Sequence, residues 1–140
     1  MARERGRATT SIPSRMLRTY LFVNAALYVL FALWCTLMPE KTASALGLMF
    51  RSGSGKSEYI TVYGGMELGI AMFFLLAALR PEMRQAGLLF ALLFYGGLVA
   101  WRIPTLLMVP GVQKITYGFA ASEAVLLVMA VLMKVFGVTK

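Results

Sequence analysis

Three ionisable residues, Glu67, Arg102 and Glu123, stand inside otherwise apolar stretches of this 140-residue chain. A charge at the centre of a membrane-spanning helix costs roughly 2.5–3.5 kcal/mol on insertion scales, so such residues are normally paired or turned toward an internal cavity. Glu67 lies eight residues after Tyr59, Glu123 eight after Ile115 and Arg102 five before Leu107, the two acids after the starts of their apolar runs and the base before the end of its own. At 1.5 Å per residue the three backbones sit about 12, 12 and 8 Å below one common boundary. Helical side chains lean toward their own N-terminus, so the carboxyls tilt toward that boundary as the guanidinium tilts away, and the three are expected to meet as one buried Glu–Arg–Glu cluster. Because arginine stays charged, the least costly arrangement pairs Arg102 with one carboxylate and leaves a proton on the other. Glu67 is the expected proton carrier, since Gly64 and Ala71 share its helical face and leave space there; Glu123 is then the partner of Arg102. Tyr63, four residues before Glu67, and Trp101 are expected to line a pocket with it. Glu67, Arg102, Glu123, Tyr63 and Trp101 are therefore the candidate ligand-binding residues, with no catalytic role assigned. The same three charges read equally as a structural ion triad tying helices together.

The elements that must position these residues follow from composition. The chain is 59% hydrophobic and only 14% charged, against roughly 25% charged in an ordinary soluble domain, and its mean hydropathy is +0.74. Uncharged or nearly uncharged runs, closed by Pro39, Arg80-Pro81 and Pro110-Gly111, predict four transmembrane helices at about 20–38, 59–79, 87–107 and 115–138. The expected fold is an all-α integral membrane four-helix bundle, one domain over 19–140 behind a basic tail, 1–18. A secretory signal peptide ending near Ala43-Ser44-Ala45 competes for the first run, which is longer than the usual ~7–15 apolar residues of such a signal and is read as retained. With no histidine, no aspartate and a single cysteine, Cys35, the sequence excludes zinc fingers, cysteine-based clusters, His-ligated haem and an intramolecular disulfide. No cofactor and no metal are expected.

The net charge of +8 points to membrane rather than nucleic acid once positions are considered. Five basic residues, Arg3, Arg5, Arg7, Arg15 and Arg18, precede the first run; with Arg80, Arg84, Lys134 and Lys140 they make nine on one side, against Lys41, Arg51, Lys56 and Lys114 on the other. The positive-inside rule then puts both termini in the cytoplasm. In the only long loop, 39–58, the first part is expected as a short interfacial helix and Arg51–Ser57 as a flexible polar stretch. Gly55-Lys56-Ser57 is not a P-loop, because Phe50 stands where the pattern needs glycine. Gly65 with Gly69, Gly96 with Ala100 and Gly118 with Ser122 are small-xxx-small pairs expected at helix contacts, Asn24 is an expected interhelical hydrogen bond, and Pro104 is expected to kink the third helix and free the Ala100 carbonyl.

Tyr63-Gly64-Gly65-Met66-Glu67-Leu68-Gly69, followed by Arg102 in the third span and Glu123 in the fourth, resembles the small bacterial DoxX-like membrane proteins, and specifically a relative of unknown function. The resemblance implies a four-helix bundle in the bacterial inner membrane and supplies no reaction. Three function classes follow: a non-enzymatic bundle that binds an apolar or amphipathic molecule or a membrane partner through an outer-half pocket, a proton-coupled small-molecule transporter, and a membrane isomerase that uses buried carboxyls. Expected partners are the lipid bilayer, a lipid-like small molecule, and a second copy of the chain or another membrane protein.

Overall fold

The computed structural model describes residues 13–137; Arg3, Arg5, Arg7 and Lys140 of the expected basic side, and the end of the fourth expected span, lie outside them. The described elements are helical: α1 (Ser14–Leu37), α2 (Pro39–Ala45), α3 (Gly53–Ile60), a π-helical segment (Thr61–Met66), α4 (Glu67–Leu79), a 3-10 turn (Pro81–Met83), α5 (Arg84–Met108) and α6 (Lys114–Val135). Four continuous stretches are long and apolar enough to cross a membrane: Ser14–Leu37, Gly53–Leu79, Pro81–Met108 and Lys114–Val135. The chain is thus all-α and built as a small membrane protein.

The helices overrun the expected ends for local reasons. The first begins at Ser14, behind Pro13, so Arg15 and Arg18 ride on a helix whose next turns already bury Leu17 and Tyr20, and Arg18 lies over the Phe22 ring at 5.3 Å. The second begins at Gly53 rather than Tyr59. Ser52 is extended and its Oγ accepts the Gly55 N–H at 3.2 Å, which caps the first turn; most of the stretch expected to be flexible is therefore helix. The short helix expected in the first part of the 39–58 loop is α2, opened by Pro39 and closed by Gly47 at φ 76°, with the Leu48 N–H on the Ala43 carbonyl at 2.8 Å; Leu48, Met49 and Phe50 lie beyond it.

Leu17, Tyr20, Leu21, Asn24, Ala25, Ala32 and Cys35 recur at helical spacing along α1 and form its buried stripe. That stripe packs on the second span, which answers with Ala71, Phe74, Ala77 and Ala78. The third span adds Gly87, Leu88, Ala91 and Tyr95, whereas α6 packs chiefly on α5 and buries only Ala130 and Met133. A Cβ on Gly87 would stand 2.7 Å from Ala77 Cβ and 2.9 Å from Leu21 Cδ2, so three helices converge on a position only glycine fits. At Gly65, Gly69, Gly96 and Gly118 a Cβ would meet nothing within 4 Å. These small-xxx-small glycines thus face away from the bundle, and the contacts expected of them are made instead at Gly64 and Gly87.

Asn24 makes the interhelical bond expected of it. Tyr95 donates its hydroxyl to Asn24 Oδ1, Asn24 Nδ2 donates to the Tyr20 carbonyl at 2.7 Å, and the Tyr20 hydroxyl donates to the Leu126 carbonyl at 3.0 Å. This polar seam links α1, α5 and α6 through the buried core, where apolar packing alone gives little preference for one helix arrangement over another.

Candidate functional site

The ion pair is built first. Arg102 projects from α5 toward α6, donating from Nε to Glu123 Oε2 at 3.0 Å and from Nη2 to Glu123 Oε1 at 2.6 Å. The fork geometry of guanidinium and carboxylate gives two parallel charge-assisted bonds. The side chains remain 30% and 13% exposed. Pro104 stays inside a continuous α5, and next to it the Thr105 hydroxyl donates to the Trp101 and Arg102 carbonyls at 3.0 and 2.9 Å, while Arg102 Nε and Nη2 donate to Glu123.

Glu67 stands apart. It is the first residue of α4, directly after the π-helical Thr61–Met66 segment, and its Oε2 is buried with no hydrogen-bond partner among the described residues. The expected single buried Glu–Arg–Glu cluster therefore does not form. Arg102 spends two of its donor groups on Glu123, and the pair sits partly exposed on the α5–α6 seam while Glu67 belongs to the span that packs on α1. A π-helical turn widens the backbone by one residue and resets the direction of the side chains that follow it, and such turns are frequent at functional sites.

The space expected beside Glu67 is filled. Gly64 and Ala71 are buried, and a Cβ on Gly64 would collide with Thr36 Oγ1 of α1. Tyr63 is half-buried and packs its ring on Tyr59 at 4.7 Å and on Phe31 at 6.4 Å; Phe31 in turn meets Phe119 of α6 at 5.5 Å. Aromatic rings thus bridge α1, the second span and α6 where an open pocket was expected. Trp101 does not share a pocket with Tyr63: it is 78% exposed. Adjacent helical residues diverge by about 100°, so turning Arg102 toward α6 turns Trp101 outward. A cleft of ligand size, about 500 Å³, opens instead at the α2–α3 end, among Glu40, Leu48, Arg51 and Lys56.

Sequence reasoning gave no role to Phe31 or to the hydroxyls of Tyr20 and Tyr95. Tyr20 and Asn24 share a helical face at four-residue spacing, and that signal was available; nothing in the sequence pairs Tyr95 with Asn24 seventy-one positions away.

No curated protein and no solved structure matches the chain. A family model described as "domain of unknown function (DUF4345)" matches residues 16–134, from the first turns of α1 to the end of α6. The chain belongs to the DUF4345 family.

Proposed function

We propose that this protein is a membrane-embedded binding module, and that Glu67 anchors the hydrogen-bond-donating head of a small amphipathic molecule whose apolar part lies along the helices. The observation that carries this reading is the buried, unpartnered Glu67 Oε2. A carboxyl oxygen shut away from water without a donor is costly, and an ionisable residue inside a membrane span is by default a candidate for function. Glu123 is already satisfied by Arg102 and serves to fasten α6, the most loosely packed span, to α5. The isomerase reading needs two carboxyls working together and the transporter reading a dimer with an acid that titrates on substrate binding; both are less well supported, because Glu123 is held in an ion pair by Arg102. Kinship with DoxX-like proteins rests on the four-helix plan and the Glu67 motif. The orientation with both termini cytoplasmic rests on the distribution of basic residues, and the bacterial inner membrane on the resemblance to DoxX-like proteins.

The test is binding of dodecylamine, which offers N–H donors, against dodecyltrimethylammonium, which carries the same charge without them, followed by native mass spectrometry of the detergent-purified protein. Retention of the amine alone, lost on Glu67→Met, is the expected result. Equal retention of both cations, or retention unaffected by Glu67→Met, would remove Glu67 from the site.

A further inference from the structure

Where α1 gives way to the second span, the cleft of about 500 Å³ is walled on one side by α2 and on the other by the 48–52 link and the first turn of α3. Its lining is of two kinds. Leu48, Met49 and Phe50 supply apolar surface, and Met49 is 88% exposed with Leu48 at 43%. Glu40, Arg51 and Lys56 supply charge: Lys56 Nζ lies 2.5 Å from Glu40 Oε1, and among the described residues no carboxylate pairs with Arg51. Exposed apolar side chains next to cations, at the ends of helices that span a membrane, match the boundary where headgroups meet acyl chains. Trp34, Leu37 and Met38, exposed at the same end of α1, continue that boundary.

We propose that this cleft binds the anionic headgroup of a phospholipid. Arg51 presents a planar fork suited to the two free oxygens of a phosphodiester, and Lys56 a second, mobile positive charge. Leu48, Met49 and Phe50 take the glycerol and the first methylenes of the chains. Glu40 is a resident competitor: its carboxylate occupies the ammonium that the phosphate would otherwise use. Two cations less one carboxylate leave a single positive charge, which matches one phosphodiester and gives no advantage to a headgroup whose own ammonium cancels it. This inference is independent of the role of Glu67.

The competitor makes the proposal testable, because it separates a binding site from a mere strap. A structural strap between α2 and α3 is broken equally by Glu40→Gln and Lys56→Gln. A phosphate site responds in opposite directions: Glu40→Gln frees Lys56 and tightens binding about fivefold, whereas Lys56→Gln and Arg51→Gln each weaken it by about the same factor, the effect of one basic residue near an anionic lipid. The measurement titrates the detergent-purified full chain with short-chain phosphatidylglycerol and with phosphatidylcholine of the same chains, counting bound lipid by native mass spectrometry, with thermal unfolding as the folding control. Preference for phosphatidylglycerol, with the opposed effects of Glu40→Gln and Lys56→Gln, supports the site. Equal binding of the two lipids, or parallel effects of those two variants, overturns it. Binding of soluble glycerol phosphate as tight as that of the lipid would also overturn it, by assigning the cleft to a free phosphate compound.

Discussion

Arg102 holds both oxygens of Glu123 across the α5–α6 seam, at 3.0 and 2.6 Å, and Glu67 has no cationic partner among the described residues. One of the two acids is thereby paired, and the role proposed above falls to the other. Removing Arg102 strands Glu123, and removing Glu123 strands Arg102, so each single change costs more than the pair is worth. Arg102→Ala and Glu123→Gln are each expected to destabilise the detergent-purified protein. In a double-mutant cycle the two are expected to couple by about 1–3 kcal/mol. Neither is expected to couple comparably to Glu67→Gln; coupling of equal size would restore the three-residue cluster.

The Tyr20–Asn24–Tyr95 seam supplies a second expectation. Tyr95→Phe leaves Asn24 Oδ1 without its donor in the core and is expected to cost about 1–2 kcal/mol, close to the upper range for hydrogen bonds between membrane helices. Tyr20→Phe removes only the bond to the Leu126 carbonyl, at part-buried position, and is expected to cost less. Equilibrium unfolding in mixed micelles reads both; a larger loss in Tyr20→Phe would contradict the ranking.

Glycines that look alike in sequence separate by position. Gly64→Ala drives a methyl into Thr36 Oγ1, and Gly87→Ala drives one into Ala77 and Leu21, so both are expected to lower the melting temperature. Gly65→Ala and Gly97→Ala meet open space and gain helix propensity, about 1 kcal/mol in a soluble helix, and are expected to be neutral or stabilising in the isolated chain. Loss of stability in all four would mean that the outward glycines also make contacts.

Much of this architecture was legible in the sequence. Four apolar runs closed by proline, arginine and glycine gave the spans, and the type of Asn24 inside the first of them gave its hydrogen bond. What was not legible depends on helix rotation and on long-range partners. Counting residues from the run boundaries placed Glu67, Arg102 and Glu123 at similar depth, but depth does not say which helix each faces, and the π-helical segment before Glu67 alters the rotation on which an ideal helical wheel relies. The space read at Gly64 was real in Glu67's own helix and was filled by Thr36 from another. Ser52 carried a capping signal that Gly53 and Gly55, poor helix formers, concealed.

Glu40 gives a pH expectation with a definite sign. Its hydrogen bond from Lys56 holds its carboxyl below the usual value of 4.5. The lowered value means the Glu40–Lys56 tie is complete above about pH 4.5 and is lost as pH falls through the lowered pKa. Both side chains are exposed, so the effect on overall stability is expected to be small and screened by salt. The release of Lys56 is what should be seen: phosphatidylglycerol retention rises on acidification through that range in wild type and stays flat in Glu40→Gln. A wild-type profile as flat as the variant's would dissociate Glu40 from Lys56.

The role of Glu67 is tested most directly by thermal unfolding of wild type and Glu67→Met, each with and without dodecylamine, with Glu67→Gln as a second variant that preserves shape. A carboxyl kept for binding burdens the empty protein, so replacing it by an apolar side chain of similar size is expected to stabilise the unliganded chain by about 1–3 kcal/mol, as relief of one unsatisfied buried group. The same replacement is expected to abolish the stabilisation that dodecylamine confers on wild type. If Glu67→Met and Glu67→Gln instead destabilise the empty protein and dodecylamine shifts all three chains alike, Glu67 is a packing residue and the binding site lies elsewhere.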